Sequence, residues 1–204
     1  MVSRWIRPWY GKLLKPLLEF LARLGITPNE LTVGSLILVA LAGLLFALDQ
    51  LIAGLVVLLL GAFLDAIDGA LAHVTGLDSP FGAFLDSICD HCGDFAVYLG
   101  LLWHYLRIGA QTEIILIFIA MFGSVFGSQV RSRAGMVGID TKTTGAFTRF
   151  ERILVLVVGI LVQRVDLALW ILAIFNNASA LQRIIHTIHV YRENAGLAQS
   201  QKTP

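Results

Sequence analysis

Long apolar runs, separated by short polar connections, occupy most of this chain. A helix that crosses the hydrocarbon layer of a bilayer needs about 20 largely apolar residues. Six segments meet that requirement, so we predict an all-α, polytopic membrane protein with six transmembrane helices. The predicted spans cover residues 31–48, 51–73, 80–106, 112–133, 149–164 and 166–190.

The segment before the first span has a mixed pattern. Between Ser3 and Arg23, apolar Trp, Ile and Leu alternate with Arg and Lys at helical spacing. This pattern predicts an amphipathic juxtamembrane helix over residues 3–23 that lies in the membrane interface. Thr27 and Pro28 predict the start of the next helix, because Thr is a favourable N-cap and Pro suits the first turn.

The composition agrees with a membrane protein and argues against nucleic acid as a partner. Hydrophobic residues make up 57% of the chain and charged residues 14%, whereas roughly a quarter of the residues of soluble domains are charged. The formal net charge is +1 and the sequence contains no Lys/Arg run. The chain therefore offers no basic surface of the kind that binds nucleic acid.

The distribution of basic residues predicts the orientation in the membrane. Arg and Lys are concentrated before the first span, after the fourth and near the C-terminus, and they are scarce in the other connections. By the positive-inside tendency we expect both termini to face the cytoplasm at the cell membrane. Residues 1–192 are predicted to form one membrane domain, and residues 193–204 a polar tail.

Four aspartates interrupt the second and third spans. Asp65 and Asp68 are three residues apart and Asp86 and Asp90 are four apart, so each pair lies on one face of its helix. Each Asp at the centre of a bilayer costs on the order of 3 kcal/mol, and four of them need compensation. Carboxylate oxygens suit Mg²⁺ or Mn²⁺, and two ions would balance four carboxylates. We therefore predict a divalent-metal site that opens, with the polar connection 73–80, toward the cytoplasm.

Small residues on the same two faces predict that the helices approach closely, because they leave room for the backbones. They include Gly69, Ala72, Gly82 and Ala83. Individually hydrogen-bonded structural carboxylates are the alternative to a metal site. A zinc site at Cys89-Asp90-His91-Cys92 is disfavoured, because a closed site needs four ligands and the sequence has no second cluster.

The pattern around the aspartates resembles the motif of the CDP-alcohol phosphotransferases, DxxDGxxAR(x8)GxxxDxxxD. Residues 65–73 read Asp-Ala-Ile-Asp-Gly-Ala-Leu-Ala-His, and eight residues later Gly82 is followed by Asp86 and Asp90. The resemblance implies six transmembrane helices after a juxtamembrane helix, a homodimer, and metal-dependent transfer of a phosphatidyl group from a CDP-linked lipid to an alcohol. It also implies that Asp65, Asp68 and Asp86 hold the metal, and that Asp90 helps to bind it and acts as general base.

Further segments are similar to those of the prokaryotic phosphatidylinositol phosphate synthases within that family. They are Gly25–Thr32, Arg131–Ala134, Arg149–Arg152 and Gln182-Arg183. The resemblance implies an inositol 1-phosphate acceptor whose phosphate is bound by Arg131, Arg152 and Arg183, and guanidinium groups suit a phosphate dianion. Arginines that merely follow the positive-inside tendency are the alternative. The residues implied to contact the nucleotide are Asn29, Thr32, Gly69, His73 and Ser79.

His73 stands where the family has Arg, and Asn29 where it usually has Asp. A neutral imidazole supplies neither the fixed charge nor the fork of a guanidinium. Three alternatives stay open beside the main prediction. The first is the same chemistry with another acceptor, such as glycerol 3-phosphate, or with an archaeal ether-lipid donor. The others are a divalent-cation transporter and a catalytically weakened homologue.

Overall fold

The computed structural model describes residues 14–141, 144–145 and 147–200, without the side chains of residues 195–200. This part of the chain is all-α, as predicted, and contains no strand. The juxtamembrane helix predicted over residues 3–23 is helical from residue 14, and its first residues lie outside the described part. The helices are α1 (14–23), α2 (Pro28–Ala47), α3 (Leu51–Thr75), α4 (Pro80–Ile108), α5 (Gln111–Met136), α6 (Arg149–Leu161) and α7 (Val165–Ser200).

The prediction of six transmembrane helices is wrong. Among the described residues, four helices are long and apolar enough to cross a membrane, namely α2, α3, α5 and α7. Helix α4 has 29 residues, but Asp86, Asp90 and Asp94 lower its apolarity. Helix α6 has 13 residues and at 1.5 Å per residue is only about 20 Å long, short of the hydrocarbon thickness of about 30 Å. The sequence-based prediction counted apolar segments without requiring that each helix be both long enough and apolar enough.

The helices form two compact units, Met1–Leu101 and Leu102–Pro204. In the first unit, α2 begins at a capping box. The Thr27 hydroxyl accepts a hydrogen bond from the Glu30 N–H, and the Glu30 carboxylate accepts one from the Thr27 N–H at 2.7 Å. This reciprocal pair satisfies two backbone donors of the first turn. Helix α1 packs on α3 through four buried leucine and isoleucine side chains, Leu14, Leu18, Ile67 and Leu71.

Helices α2 and α3 are held together by small residues and by hydrogen bonds from hydroxyl groups. The Ser35 hydroxyl donates to the Gly61 carbonyl oxygen at 2.9 Å. A Cβ atom on Gly61 would lie 2.8 Å from the Val39 side chain, so the close approach depends on glycine. Helix α2 also touches α4 where Gly43 meets Ala96 and Gly100. These contacts fix the faces of α2, α3 and α4 that carry the site.

In the second unit, two asparagines of α7 bind backbone oxygens of α5. The Asn176 amide donates to the Ala120 carbonyl at 2.9 Å, and the Asn177 amide donates to the Ile119 carbonyl at 3.0 Å. Gly123 lies against both side chains. Amide-to-carbonyl bonds of this kind stabilise helix association where the surroundings are apolar. Helix α6 packs on α7 where Gly159 meets Ala168.

Candidate functional site

Three of the four predicted metal ligands form one cluster in the first unit. Asp65 and Asp68 on α3 and Asp86 on α4 each offer a carboxylate oxygen, and these oxygens lie within 4.8 Å of one another. Asp68 is buried, with 6% of its surface exposed, and the other two are partly buried. Like charges at this distance repel one another strongly in a medium of low dielectric constant. A bound cation would offset this repulsion.

The donor set of the cluster fits a hard divalent cation. All three groups are carboxylates, and Mg²⁺ and Mn²⁺ prefer oxygen ligands. Within the described residues this is also the one group of three or more His, Cys, Asp or Glu side chains that could hold a metal ion. The geometry thus supports the predicted oxygen-ligand site rather than a zinc site at the two cysteines. Cys89 is buried and Cys92 is exposed, and both are free thiols.

Asp90 is not part of this three-carboxylate cluster. It lies one helical turn after Asp86 on α4 and is partly buried. Its predicted roles, as a fourth ligand and as general base, therefore stay predictions.

Thr32 binds the buried member of the cluster. Its hydroxyl donates to Asp68 Oδ2 at 2.6 Å, and its oxygen also lies 3.1 Å from the Pro28 carbonyl oxygen. Thr32 is itself 4% exposed. This bond connects the beginning of α2 to the face of α3 that carries Asp65 and Asp68.

A pocket of about 530 Å³ opens directly beside the carboxylates. Its lining includes four of the five predicted nucleotide-binding residues, Asn29, Thr32, Gly69 and Ser79, together with Asp68 and Asp86 of the carboxylate cluster. The remaining lining residues are mostly apolar or small: Pro28, Ala72, Leu77, Asp78, Pro80, Gly82 and Ala83.

The small residues have a different use from the predicted one. No atom outside the neighbouring backbone lies within 4 Å of a Cβ built on Gly69, so Gly69 keeps the pocket open instead of packing against another helix. Ser79 begins α4, because its hydroxyl accepts a hydrogen bond from the Gly82 N–H at 3.0 Å. A Cβ on Gly82 would lie 3.1 Å from that hydroxyl oxygen, so Gly82 permits the tight turn.

His73, the fifth predicted nucleotide-binding residue, is not among the described residues that line this pocket. Its Nδ1 lies 3.7 Å from Asp78 Oδ2, and both side chains are largely exposed. Asp78 does line the pocket. Sequence reasoning did not single out Asp78, although its place next to Ser79 in the polar connection was an available signal.

The three predicted acceptor-binding arginines all belong to the second unit. Arg183 lies on α7 and is buried, with 8% of its surface exposed. Its Nε donates to the Thr144 carbonyl and its Nη1 to the Gly127 carbonyl, each at 3.0 Å. Arg131 and Arg152 lie close enough for their charges to repel that of Arg183. In the described part of the chain no carboxylate pairs with Arg183.

The family model of CDP-alcohol phosphatidyltransferase matches residues 25–188. The chain belongs to this family. It is therefore an enzyme, a membrane-bound transferase of phospholipid biosynthesis, and not a divalent-cation transporter. The matched residues include the carboxylate cluster, the pocket and the three arginines.

Named relatives and solved structures are similar to this chain over most of its length. An archaetidylinositol phosphate synthase from Pyrococcus horikoshii is 37% identical over 185 residues, covering 90% of this chain and 95% of that protein. The crystal structure of Mycobacterium tuberculosis phosphatidylinositol phosphate synthase with CDP-DAG bound is similar with a TM-score of 0.80 at 28% identity, covering 86% of this chain and 94% of that one. The same enzyme in complex with manganese and citrate has a TM-score of 0.77 at 29% identity, covering 85% and 87%.

The carboxylate cluster of this chain and the manganese complex of its relative agree on one point: the enzyme depends on a divalent metal.

Replacing Asp86 by Asn should weaken Mn²⁺ binding, because one carboxylate of the cluster loses its charge. We expect a loss in affinity at least as large as the roughly 10- to 100-fold that follows removal of a ligand's hydrogen-bonding partner. Titration of purified protein with Mn²⁺, followed by the electron paramagnetic resonance signal of the free ion, measures it.

The matched control for Asp86→Asn is Asp49→Asn. Asp49 follows α2 outside the pocket and has a positive φ of 68°, which Asn tolerates well. Equal Mn²⁺ affinity of the Asp86→Asn variant and the wild type would argue against the cluster as the metal site.

Proposed function

We propose that this transferase moves a phosphatidyl group from CDP-diacylglycerol to inositol 1-phosphate and releases CMP. The observation that carries the proposal is the position of two of the three cluster carboxylates, Asp68 and Asp86, in the lining of a pocket of about 530 Å³. Such a pocket lets a metal-bound diphosphate lie beside its nucleoside.

The charge of the pocket supports a metal-bound diphosphate. Its described lining contains three carboxylates, Asp68, Asp78 and Asp86, and no Lys, Arg or His. Bound divalent ions would neutralise the diphosphate, polarise it and stabilise the CMP that departs. We infer two ions, Mg²⁺ or Mn²⁺, held by Asp65, Asp68, Asp86 and Asp90. Among the neutral groups, Asn29 and Ser79 offer hydrogen bonds to the nucleoside.

The bond changes in the proposed reaction are those of a displacement at phosphorus. The acceptor hydroxyl oxygen forms a bond to the lipid-side phosphorus of the diphosphate. The bond from that phosphorus to the bridging oxygen breaks, and CMP leaves with the bridging oxygen. Asp90 takes the proton of the acceptor hydroxyl as general base.

Two observations support inositol phosphate as the acceptor. The relatives reported above are named for different lipids, archaetidyl and phosphatidyl, but both names contain inositol phosphate. In addition, Arg183 is a buried cation on which Arg131 and Arg152 act by charge repulsion. A buried charge without an opposite charge is costly, and a phosphate dianion would offset the repulsion of Arg183 by the other two arginines. No comparable observation favours glycerol 3-phosphate.

The archaeal relative supports a second candidate for the donor lipid. Because it is named an archaetidylinositol phosphate synthase and is 37% identical to this chain, an ether-linked CDP-lipid is the alternative donor.

We also propose a cell-membrane location with the site facing the cytoplasm, supported by the basic residues before α2 and after α5. We further propose a homodimer, supported by the family resemblance.

A matrix of donors and acceptors tests the proposed function. Purified protein with Mg²⁺ or Mn²⁺ is given CDP-diacylglycerol or its diether analogue, and in turn inositol 1-phosphate, glycerol 3-phosphate, inositol or serine. We expect CMP release and a new lipid mass with inositol 1-phosphate alone. A product with glycerol 3-phosphate instead would overturn the acceptor assignment. Absence of CMP in every combination would favour a weakened homologue, for which His73 in place of Arg gives a reason.

Replacing Asp90 by Asn should lower kcat at saturating Mn²⁺ by about 10²- to 10⁴-fold, the usual contribution of a general base. The rate of CMP release measures the effect. Asp94→Asn, one turn further along α4, is the matched control and should keep turnover. Turnover of the Asp90→Asn variant at the wild-type rate would exclude the base role.

Replacing Arg183 by Lys should raise KM for inositol 1-phosphate by about tenfold or more, because charge-assisted hydrogen bonds contribute about 1.5–3 kcal/mol each and Lys cannot form the guanidinium fork. Affinity for CDP should not change. Initial rates at varied acceptor concentration measure the effect.

Arg164→Lys is the control for Arg183→Lys, because Arg164 is exposed and pairs with Asp166 at 3.1 Å. The acceptor assignment of Arg183 would be refuted by an unchanged acceptor KM in Arg183→Lys.

A further inference from the structure

Thr32 has a contact that a residue which merely lines a nucleotide pocket does not need. Its hydroxyl on α2 donates to Asp68 Oδ2 on α3 at 2.6 Å, and the two residues are 36 positions apart in the chain. Both residues are buried and both line the pocket. The bond therefore joins the pocket wall on α2 to a carboxylate of the metal cluster on α3.

The hydroxyl of Thr32 has one proton, and the geometry assigns it to the carboxylate. The contact with Asp68 is 0.5 Å shorter than the contact with the Pro28 carbonyl, 2.6 Å against 3.1 Å. Hydrogen bonds to ionised acceptors are shorter and stronger than neutral ones. With its proton used in this way, Thr32 can only accept a hydrogen bond from a bound nucleotide, and it cannot donate to a phosphate oxygen.

We propose that Thr32 is a positioning residue that holds Asp68 in the orientation in which it binds the divalent metal. The inference rests on the proposed function, because it assigns Asp68 to a metal site. A carboxylate has about four acceptor sites, so the bond to Thr32 leaves Asp68 able to bind the ion.

The electrostatics of the cluster explain why such a holder is needed. Without the Thr32 bond, repulsion by Asp65 and Asp86, whose ligand atoms lie within 4.8 Å of that of Asp68, favours rotation of the Asp68 side chain away from the cluster. Binding of the ion would then have to reverse this rotation, which lowers the affinity for the ion. Groups that orient a ligand typically change metal affinity when removed, even though they do not touch the metal.

Ser35 provides a matched control one turn along the same helix. Its hydroxyl also ties α2 to α3, by donating to the Gly61 carbonyl at 2.9 Å, and it is buried to a similar extent, with 3% exposed against 4% for Thr32. Its acceptor is a backbone carbonyl and not a carboxylate, and Ser35 does not line the pocket. Removing it tests the interhelical bond without touching the metal cluster.

The experiment compares Thr32→Val, Thr32→Ser and Ser35→Ala with the wild type in the full chain, using Mn²⁺ titration without nucleotide and thermal unfolding. Val has nearly the shape of Thr but no hydroxyl, and we expect it to lower Mn²⁺ affinity by about 10- to 100-fold. Thr32→Ser keeps the hydroxyl and should restore most of the affinity. Ser35→Ala should lower the unfolding temperature like Thr32→Val but leave Mn²⁺ affinity unchanged.

The outcomes separate this inference from the proposed function. Wild-type Mn²⁺ affinity in Thr32→Val, or an equal loss in Ser35→Ala, would overturn the positioning role while leaving the metal site intact. A wild-type protein that does not bind Mn²⁺ would overturn the metal site of the proposed function, and the positioning role with it. If Thr32→Val does not fold, Thr32→Ala removes the same hydroxyl without adding bulk, and the same two comparisons apply.

Discussion

Repulsion among carboxylates held together in largely apolar helices is the constraint on which the first unit depends. Bringing the carboxylates of Asp65, Asp68 and Asp86 within 4.8 Å of one another costs free energy that a bound cation would offset, and burial of Asp68 adds a desolvation cost. The surrounding structure offsets part of this cost before any ion arrives. Thr32 donates to Asp68, and α2 is fixed against α3 by the Ser35 bond and by the close approach at Gly61.

The two ends of the pocket are set by helix starts. The capping box of Thr27 and Glu30 fixes the first turn of α2 and with it Asn29 and Thr32. Ser79 fixes the first turn of α4 through the Gly82 N–H. Capping residues satisfy backbone donors that have no partner within the helix. In this protein the same residues, or their neighbours, also form the wall of the pocket that we propose for the nucleotide, so local folding and the proposed binding site share side chains.

Much of the fold and of the metal cluster could be predicted from the sequence, because both depend on local periodicity. The all-α class follows from the apolar runs, and the spacing of Asp65 and Asp68 places them on one face whatever their partners are. The count of six transmembrane helices failed for two reasons: α4 is long enough but too polar, and α6 is apolar but too short. Residues predicted to extend the fifth span to 164 instead turn at Gln163, which has a positive φ of 58°, and α6 ends at Leu161.

Contacts between distant residues were the part that the sequence could not supply. Thr32 was predicted to contact the nucleotide, but its bond to Asp68 joins two helices and leaves no periodic signal. Likewise, the pairing of His73 with Asp78 depends on the course of a short connection, where side-chain directions do not follow a helical repeat. Gly69 shows the same limit: its spacing suggested helix packing, whereas the structure leaves open space beside it.

The acidic lining of the pocket has a kinetic consequence. The diphosphate of the proposed CDP-lipid donor, when it approaches Asp68, Asp78 and Asp86 without a metal ion, meets charges of its own sign. Productive encounters are therefore those in which the ion is already seated or arrives attached to the nucleotide. For the proposed reaction, the occupancy of the donor site then follows the concentration of the free divalent ion as well as that of the lipid.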